Sequence, residues 1–256
     1  MSKNKGTFLW YDLMTTDIEA AKAFYTEVIG WKTAPFQGGD GDYTMFMVGE
    51  QPMGGMMLLP EQAQAMGAPP HWMAYVGTPD VDATVSLAKK LGATVPMPPM
   101  EIPEVGRFAV IIDPQGAAIS AFQPSSDMPL PAPEPGRVSW NELMSADAEA
   151  GLKFYSKLFG WEKTDSMDMG PMGTYQMFGQ NGKTYGGMMN RPAEMPMSAW
   201  LYYINVTSVK DTIERVTAKG GKLMNGPMDV PGGDVVAQCM DPQGVMFAIH
   251  GKAEHN

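Results

Sequence analysis

The sequence predicts an α+β protein made of two tandem copies of one module. The main observation is a repeat: "LWYDLMTTDIEAAKAFYTEVIGW", residues 9–31, returns as "SWNELMSADAEAGLKFYSKLFGW", residues 139–161. Matches continue in the same order through almost the whole chain, and they include two copies of the motif "DPQG". A proline-dense stretch between the copies is typical of a semi-rigid linker. We therefore expect a first module over residues 6–124, a linker over residues 125–135 and a second module over residues 136–251.

Each module opens with a strand and a helix. Side chains alternate in character from Phe8 to Met14, which predicts a strand, and Asp17 is placed to cap the helix that follows. Gly30 is placed to end that helix, and two or three strands follow over residues 43–59. The order then restarts with the strand "HWMAYVG", the helix "VDATVSLAKKLGA" and the strands "GRFAVII" and "AISAFQ". The pattern strand-helix-strand-strand-strand is therefore expected twice in each module.

Composition narrows the classes of partner. The formal net charge is −10, which disfavours nucleic acid, and the longest apolar runs are too short to span a membrane. The single cysteine, Cys239, excludes an internal disulfide and a zinc site built from cysteines. The N-terminal sequence leads directly into a strand and shows no apolar signal core. We expect a cytoplasmic protein, monomeric or homodimeric, whose partner is a small molecule.

The repeated segments resemble a known superfamily. The carrying residues are "DIEAAKAFYTEVIGW" and "DAEAGLKFYSKLFGW", the predicted helices after the first strands, and the "DPQG" turns before the last strands. They are similar to the vicinal oxygen chelate superfamily, which includes glyoxalase I, bleomycin-resistance proteins and extradiol dioxygenases. The resemblance implies that each pair of βαβββ units curls one sheet into a cup with a pocket inside.

The resemblance also implies where metal-dependent members place their His, Glu or Gln ligands. In this sequence the corresponding positions hold Trp10, Met57, His71 and Ser120 in the first copy and Trp140, Met189, Ala199 and Ala248 in the second. Tryptophan offers no lone pair to a metal, and a thioether suits soft ions such as Cu(I). His71 alone is a good ligand, and it can also be read as a structural residue at the start of a strand. We therefore expect no bound metal and no cofactor.

The same faces predict a ligand site of aromatic and apolar side chains. Strand alternation places the acids Asp12 and Glu142 beside the tryptophans two residues earlier. In an apolar cup such an acid could act as a general base, or it could accept hydrogen bonds as fixed scaffold. The predicted catalytic residues are Asp12 and Glu142. The predicted ligand-binding residues are Trp10, Met14, Met57, His71, Tyr75, Ser120, Trp140, Met144, Met189, Trp200 and Tyr202.

Two functions are compatible with these residues. In the first, the metal positions are mostly lost and the cups bind, or also transform without a metal, a small aromatic or apolar molecule. In the second, the protein is a metal-dependent enzyme of the lactoylglutathione lyase or extradiol dioxygenase type. Whether any reaction is catalysed stays open at this level, because a fold analogy does not name a reaction.

Overall fold

The first copy forms a complete set of strands and helices. The computed structural model describes residues 4–38, 43–130 and 132–253. The strands of the first copy are β1 (Phe8–Thr15), β2 (Lys32–Pro35), β3 (Thr44–Val48), β4 (Gln51–Leu58), β5 (His71–Gly77), β6 (Thr94–Ile102), β7 (Gly106–Ile112) and β8 (Ala118–Pro124). Its helices are α1 (Ile18–Val28), α2 (Glu61–Ala65) and α3 (Val81–Lys90).

The second copy repeats that order. Its strands are β9 (Val138–Ser145), β10 (Glu162–Asp168), β11 (Thr174–Gln180), β12 (Lys183–Asn190), β13 (Ala199–Asn205), β14 (Lys222–Val230), β15 (Asp234–Met240) and β16 (Met246–Lys252). Its helices are α4 (Ala148–Phe159) and α5 (Val209–Ala218), with a short 3₁₀ turn at Gly170–Met172. Among the described residues, no helix has the length and apolar character needed to cross a bilayer.

Each copy contributes one eight-stranded mixed sheet. The strand order is β2-β3-β4-β1-β5-β8-β7-β6 in the first copy and β10-β11-β12-β9-β13-β16-β15-β14 in the second. The first strand of each copy pairs in parallel with the fourth, and the fifth pairs in parallel with the eighth. The remaining hairpin pairs, such as β3 with β4, are antiparallel. The two sheets confirm the predicted α+β fold of two tandem modules.

The opening helices begin where the sequence indicates. The Asp17 side chain accepts a hydrogen bond from the backbone N–H of Ala20 at 2.9 Å, and Asp147 caps α4 in the same way through Ala150. Such a cap satisfies one of the backbone donors that a helix N-terminus leaves free. Gly160 follows α4 with a positive φ of 82°, a conformation that glycine adopts without strain.

In the first copy, three elements were not located by the sequence pattern. β6 contains Pro96, Pro98 and Pro99, and it lies at the edge of its sheet, where a missing backbone donor costs little. β2 is short, and it follows the first helix directly instead of lying within residues 43–59. α2 is a five-residue helix with no buried side chain, and such a short surface turn carries no apolar periodicity.

The elements cluster into two compact units that do not follow the two copies. One unit combines α3 and β6–β8 of the first copy with α4 and β10–β12 of the second. The other combines α1 and β2–β4 with α5 and β14–β16. The four strands β1, β5, β9 and β13 are each divided between the units. Each unit therefore contains residues from both copies.

Within each unit, the repeated aromatic residues bind the opposite copy. Tyr155 on α4 donates a hydrogen bond to Asp113 Oδ2 of the first copy at 3.0 Å. Its hydroxyl oxygen accepts from Trp200 Nε1 at 3.2 Å. In the other unit, Tyr25 on α1 donates to Asp241 Oδ2 of the second copy at 3.1 Å. Both acids belong to "DPQG" turns, and burial raises the pKa of each above the usual value for aspartate.

The tryptophan that follows each opening helix also reaches the other copy. Trp31 Nε1 donates to the backbone oxygen of Gly136 at 2.7 Å, and Trp161 Nε1 donates to that of Gly6 at 2.6 Å. Both indoles are almost completely buried. We call these four contacts, made by Tyr25, Tyr155, Trp31 and Trp161, the reciprocal contacts. They give the repeated "FY" and "GW" letters a structural role, because each buried polar group finds its partner in the opposite copy.

Candidate functional site

The acid on the first strand is held by a tyrosine two strands away. Asp12 on β1 lies directly beside Gly55 on β4, and Asp12 is buried. A Cβ atom on Gly55 would lie 2.1 Å from the hydroxyl oxygen of Tyr43, so the tyrosine ring crosses β4 over this glycine. The Tyr43 hydroxyl then donates a hydrogen bond to Asp12 Oδ1. The glycine is needed for this crossing because a side chain there would occupy the same space.

The second copy builds the same arrangement and extends it. Glu142 on β9 lies beside Gly187 on β12, where a Cβ atom would lie 2.0 Å from Cε1 of Tyr175. The Tyr175 hydroxyl donates to Glu142 Oε2 at 2.9 Å and accepts from Trp140 Nε1 at 2.8 Å. We call these three residues the Trp140–Tyr175–Glu142 chain. It links the predicted aromatic and acidic residues through a hydroxyl that the sequence did not assign.

The surroundings of both acids are rich in thioethers. Residues paired directly across two strands share a face of the sheet, and so do residues two apart on one strand. The partners of the two glycines, and the pairs two residues further along, therefore lie on the same face as the acids. In the first copy Met14 pairs with Met57, and in the second Met144 pairs with Met189. Across the glycines stand two further methionines, Met45 opposite Gly55 and Met177 opposite Gly187. Most of these methionines are half-buried, so the acids sit on an apolar but adaptable surface.

Two more predicted residues are direct neighbours in the first sheet. Tyr75 on β5 pairs with Ser120 on β8. The Tyr75 ring packs against the rings of Phe108 and Phe122, with centroids 5.7 and 6.2 Å away. The Ser120 hydroxyl is fully buried and makes no hydrogen bond within the described part of the chain. This pair presents one aromatic ring and one hydroxyl, both in apolar surroundings.

The remaining predicted residues lie at separate places. His71 begins β5, and its Nδ1 lies 2.7 Å from the backbone oxygen of Pro69, while burial lowers its pKa. Trp200 is buried among the rings of Phe8, Tyr155, Trp161 and Phe178. Tyr202 packs edge-on against Tyr11 at 5.3 Å. Trp10 is half-buried on β1, two residues before Asp12.

Among the described residues, no three His, Cys, Asp or Glu side chains come close enough together to hold a metal ion. At Asp12 and Glu142 the polar groups that meet are an acid and a phenol. Such a pair can bind a hydroxyl or an amide of a ligand, and its carboxylate can accept a proton.

The residues that sequence reasoning missed are the two tyrosines, Tyr43 and Tyr175. A signal was present, because both precede the "GGMM" segments of the repeat at corresponding positions. Linking that signal to the acids requires the pairing register of three strands, which the alternation of side chains in a single strand does not give. The paired glycines were the second signal, since a strand tolerates glycine where another group approaches closely.

Comparisons with known proteins place the chain in a family. Residues 137–249 match the model of the Glyoxalase/Bleomycin resistance protein/Dioxygenase superfamily, and residues 7–49 match the Bleomycin resistance protein-like N-terminal model. The putative glyoxylase CFP32 of Mycobacterium tuberculosis is 33% identical over 248 residues, which cover 96% of this chain and 94% of that protein. The chain therefore belongs to the glyoxalase/bleomycin resistance protein/dioxygenase superfamily, as the resemblance of the repeated motifs implied.

Further proteins are similar over most of their length. The anthracycline biosynthesis protein DnrV of Streptomyces peucetius is 27% identical over 272 residues, covering 95% of this chain and 92% of that protein. The Mn(II)-bound glyoxalase from Novosphingobium aromaticivorans superposes with a TM-score of 0.64 at 19% identity, covering 98% and 83% of the two chains. The 2,2',3-trihydroxybiphenyl 1,2-dioxygenase from Sphingomonas wittichii gives a TM-score of 0.66 at 12% identity, covering 98% and 91%. At these identities the two structures establish the fold alone.

Proposed function

We propose that this protein binds a small aromatic or apolar molecule on the sheet face that carries the Trp140–Tyr175–Glu142 chain, and that it does so without a metal ion. The observation that supports this is the chain itself: an indole, a phenol and a carboxylate joined by two hydrogen bonds on a methionine-rich face. Small-molecule sites combine apolar walls with a few fixed polar groups in this way.

In the Trp140–Tyr175–Glu142 chain, each residue contributes a different interaction with the ligand. The Trp140 ring offers a flat apolar surface, and aromatic pairs contribute on the order of 1 kcal/mol beyond the area they bury. Glu142 offers acceptor oxygens to a hydroxyl or N–H of the ligand, and the hydrogen bond from Tyr175 fixes the direction of that carboxylate. The expected ligand is therefore an aromatic molecule that carries a hydrogen-bond donor at one end.

The same geometry supports acid–base chemistry as the finer proposal. Glu142 accepts the proton of a ligand O–H or activated C–H, while Tyr175 positions the carboxylate and shares its negative charge through the hydrogen bond. Asp12 with Tyr43 repeats the arrangement in the first copy, with a side chain one methylene shorter. Because the acids differ in reach, we expect the two copies to favour different ligands.

The alternative function, a metal-dependent lyase or dioxygenase, rests on the likeness of fold. The residues at the corresponding positions do not fit the Mn(II) of the glyoxalase structure. The Trp140 N–H is a donor and is already bonded to Tyr175, and Met189 offers a soft sulfur. Within the described part of the chain, no further His, Cys, Asp or Glu side chains join His71 to make a catalytic site of three ligands. The side chains at these positions therefore do not make a site for a divalent metal ion.

One relative supports an aromatic ligand. DnrV is named for anthracycline biosynthesis, and anthracyclines are polycyclic aromatic molecules. The Trp140 ring is a suitable surface for such a molecule. We propose the same class of ligand for this chain, with fused aromatic rings and at least one hydroxyl group.

The test uses 2,3-dihydroxynaphthalene and naphthalene as probes, with affinities measured by isothermal titration calorimetry. Trp140→Ala is expected to weaken both ligands about tenfold, which corresponds to about 1.4 kcal/mol. Glu142→Gln keeps the shape of the side chain, so it is expected to weaken the dihydroxy probe and leave naphthalene unchanged. Tyr185→Phe serves as the matched control, because Tyr185 is not part of the Trp140–Tyr175–Glu142 chain.

Equal affinities for all four proteins would show that ligands bind elsewhere. Equal loss of both probes in Glu142→Gln would show that Glu142 is scaffold. Metal analysis of the protein, purified without chelator, is the second measurement. A stoichiometric Fe, Mn, Ni or Zn ion held by side chains would contradict the metal-free proposal and favour the alternative.

A further inference from the structure

A second cluster of polar side chains lies in the other compact unit. Ser139, on β9, makes a hydrogen bond between its Oγ and Nε2 of His250 on β16. The other ring nitrogen, Nδ1, lies 3.6 Å from Oδ2 of Asp234 at the start of β15. The serine thus contacts the histidine, and the histidine contacts the aspartate. None of the three belongs to the ligand site proposed above.

The strand pairing explains how these residues meet. Val236 pairs with His250 in the antiparallel hairpin of β15 and β16, so Asp234 lies on the same side two residues earlier. On its other edge, His250 pairs with Asn205 at the end of β13. Asn205 exchanges backbone hydrogen bonds with residues 136 and 137, which brings the start of β9 to this place.

The charges around the histidine suit a base. Burial lowers the pKa of His250, Lys252 acts in the same direction, and Asp234 acts against both. The imidazole is then neutral near pH 7. With its proton on Nδ1, toward Asp234, the Nε2 lone pair accepts the hydrogen bond from the Ser139 hydroxyl. Lys252 lies 2.6 Å from the other oxygen of Asp234 and holds that carboxylate in place.

The fold does not require this cluster. The positions that correspond to Ser139, His250 and Asp234 in the first copy hold Leu9, Phe122 and Gly106. That copy forms the same strands with apolar side chains at two of these positions and no side chain at the third. The polar cluster is therefore a property of the second copy alone. The fold that both copies share forms without it, so that fold does not explain why it is present.

We propose that Ser139 is a nucleophile activated by His250 and that it reacts with small esters that have a good leaving group. The roles follow the general arrangement of nucleophile, base and orienting acid. Ser139 and His250 are both half-buried, so neither residue is sealed inside the protein core.

The reaction balances with water as the only co-reactant. Ser139 Oγ forms a bond to the acyl carbon while its proton passes to His250 Nε2. The bond from the acyl carbon to the leaving oxygen then breaks, and His250 returns the proton to that oxygen. Water, deprotonated by the same imidazole, next attacks the acyl-serine. The carboxylic acid leaves, and the Ser139 hydroxyl is restored.

The experiment uses the full-length protein and 4-nitrophenyl acetate, with release of nitrophenol followed optically. Mass spectrometry of proteolytic fragments locates the acetyl group. The expected result is acetylation on Ser139, with at least tenfold slower release in both Ser139→Ala and His250→Gln. Ser125→Ala is the matched control, because the Ser125 hydroxyl donates to the backbone oxygen of Glu104 and is not bonded to His250. This control is expected to react at the wild-type rate.

A second probe keeps the test independent of how well the His250 variant folds. A fluorophosphonate is expected to label Ser139 in the wild-type protein and to leave Ser139→Ala unlabelled, with Ser139→Ala checked for wild-type thermal unfolding. Asp234→Asn is expected to react at an intermediate rate, with a lower kcat and an unchanged KM. Acetyl groups found only on lysines, or equal rates in wild type and Ser139→Ala, would overturn the proposal.

Discussion

The hydroxyl of Tyr175 makes two hydrogen bonds at once, accepting from Trp140 and donating to Glu142. A phenol is suited to this position, because the same oxygen serves as acceptor and donor, whereas a carboxylate only accepts and an indole only donates. The order of the chain is therefore set by chemistry. Of the three groups, only a phenol hydroxyl can take the middle position, between the donor and the acceptor.

At the same scale, His71 makes folding depend on pH. Burial lowers its pKa in the folded protein below the ordinary value of 6.5. When the pH falls through 6.5, the unfolded chain takes up a proton that the folded protein resists. The free energy of unfolding contributed by His71 is thus present above pH 6.5 and is lost as the pH falls toward the lowered pKa.

We expect His71→Gln to flatten the fall in the free energy of unfolding between pH 6.5 and the acid range, measured by urea unfolding at several pH values. His250, whose pKa is also lowered, keeps its own share of the slope in that variant. An unchanged slope would mean that His71 is solvated in the folded protein as it is in the unfolded chain.

At the scale of elements, the two adjacent glycines of β12 serve different neighbours. A Cβ atom on Gly186 would lie 1.8 Å from the backbone oxygen of Asn141, and one on Gly187 would lie 2.0 Å from the ring of Tyr175. The first clash is with the neighbouring strand, so it disturbs the sheet. The second is with a side chain, so it disturbs the site.

We expect Gly187→Ala to lower the free energy of unfolding by roughly 1–3 kcal/mol and to weaken ligand binding, because the Tyr175 ring must move away from Glu142. In a Tyr175→Ala background the same substitution should cost much less. Gly186→Ala should cost as much in either background, since its clash is with backbone. Urea unfolding of the double-mutant cycle measures both, and additive effects at Gly187 and Tyr175 would contradict the crossing geometry.

The elements also show which parts of the fold the sequence could predict. The caps at Asp17 and Asp147 mark the opening helices because a side chain bonding to its own helix is a local event. The sequence pattern did not predict β6 as a strand, because its three prolines are typical of loops. The sheet accepts these prolines because β6 is an edge strand. Local signals were sufficient for the opening helices, whereas the strand β6 could be recognised only from its place in the sheet.

At the scale of the whole molecule, the reciprocal contacts give buried polar groups of each copy a hydrogen-bond partner in the opposite copy. We expect Tyr155→Phe to lower the free energy of unfolding by roughly 1–3 kcal/mol, because Asp113 and the Trp200 N–H both lose their bond to its hydroxyl. Thermal and urea unfolding measure the change. Tyr185→Phe is the matched control and should stay within about 0.5 kcal/mol of wild type.

Tyr25→Phe should have a similar effect through Asp241, and the double variant should show the sum of the two losses because the clusters share no bonded partner. A loss in the double variant much larger than the sum would show that the two clusters unfold as one. A loss confined to one of the single variants would show that the symmetry of the contacts does not extend to their energies.

Only part of the candidate site could be predicted from the sequence, because its other contacts depend on how distant strands and the two copies pair. Trp140 and Glu142 could be named from one strand, because alternation alone puts them on one face. Tyr175 and the reciprocal contacts could not, because their partners are fixed by strand register and by the pairing of one copy with the other. The Ser139, His250 and Asp234 cluster was hidden for the same reason, since its members lie on three strands separated in sequence.

The reciprocal contacts have a consequence for the history of such a chain. Two identical subunits meeting in this way would form a homodimer, with every contact made twice by symmetry. Any substitution in that ancestor would appear on both subunits. Joining the subunits into one polypeptide removes this constraint, because a substitution can then change one half and leave the other unchanged. The second copy carries a serine and a histidine where the first copy carries a leucine and a phenylalanine, and such freedom permits this difference.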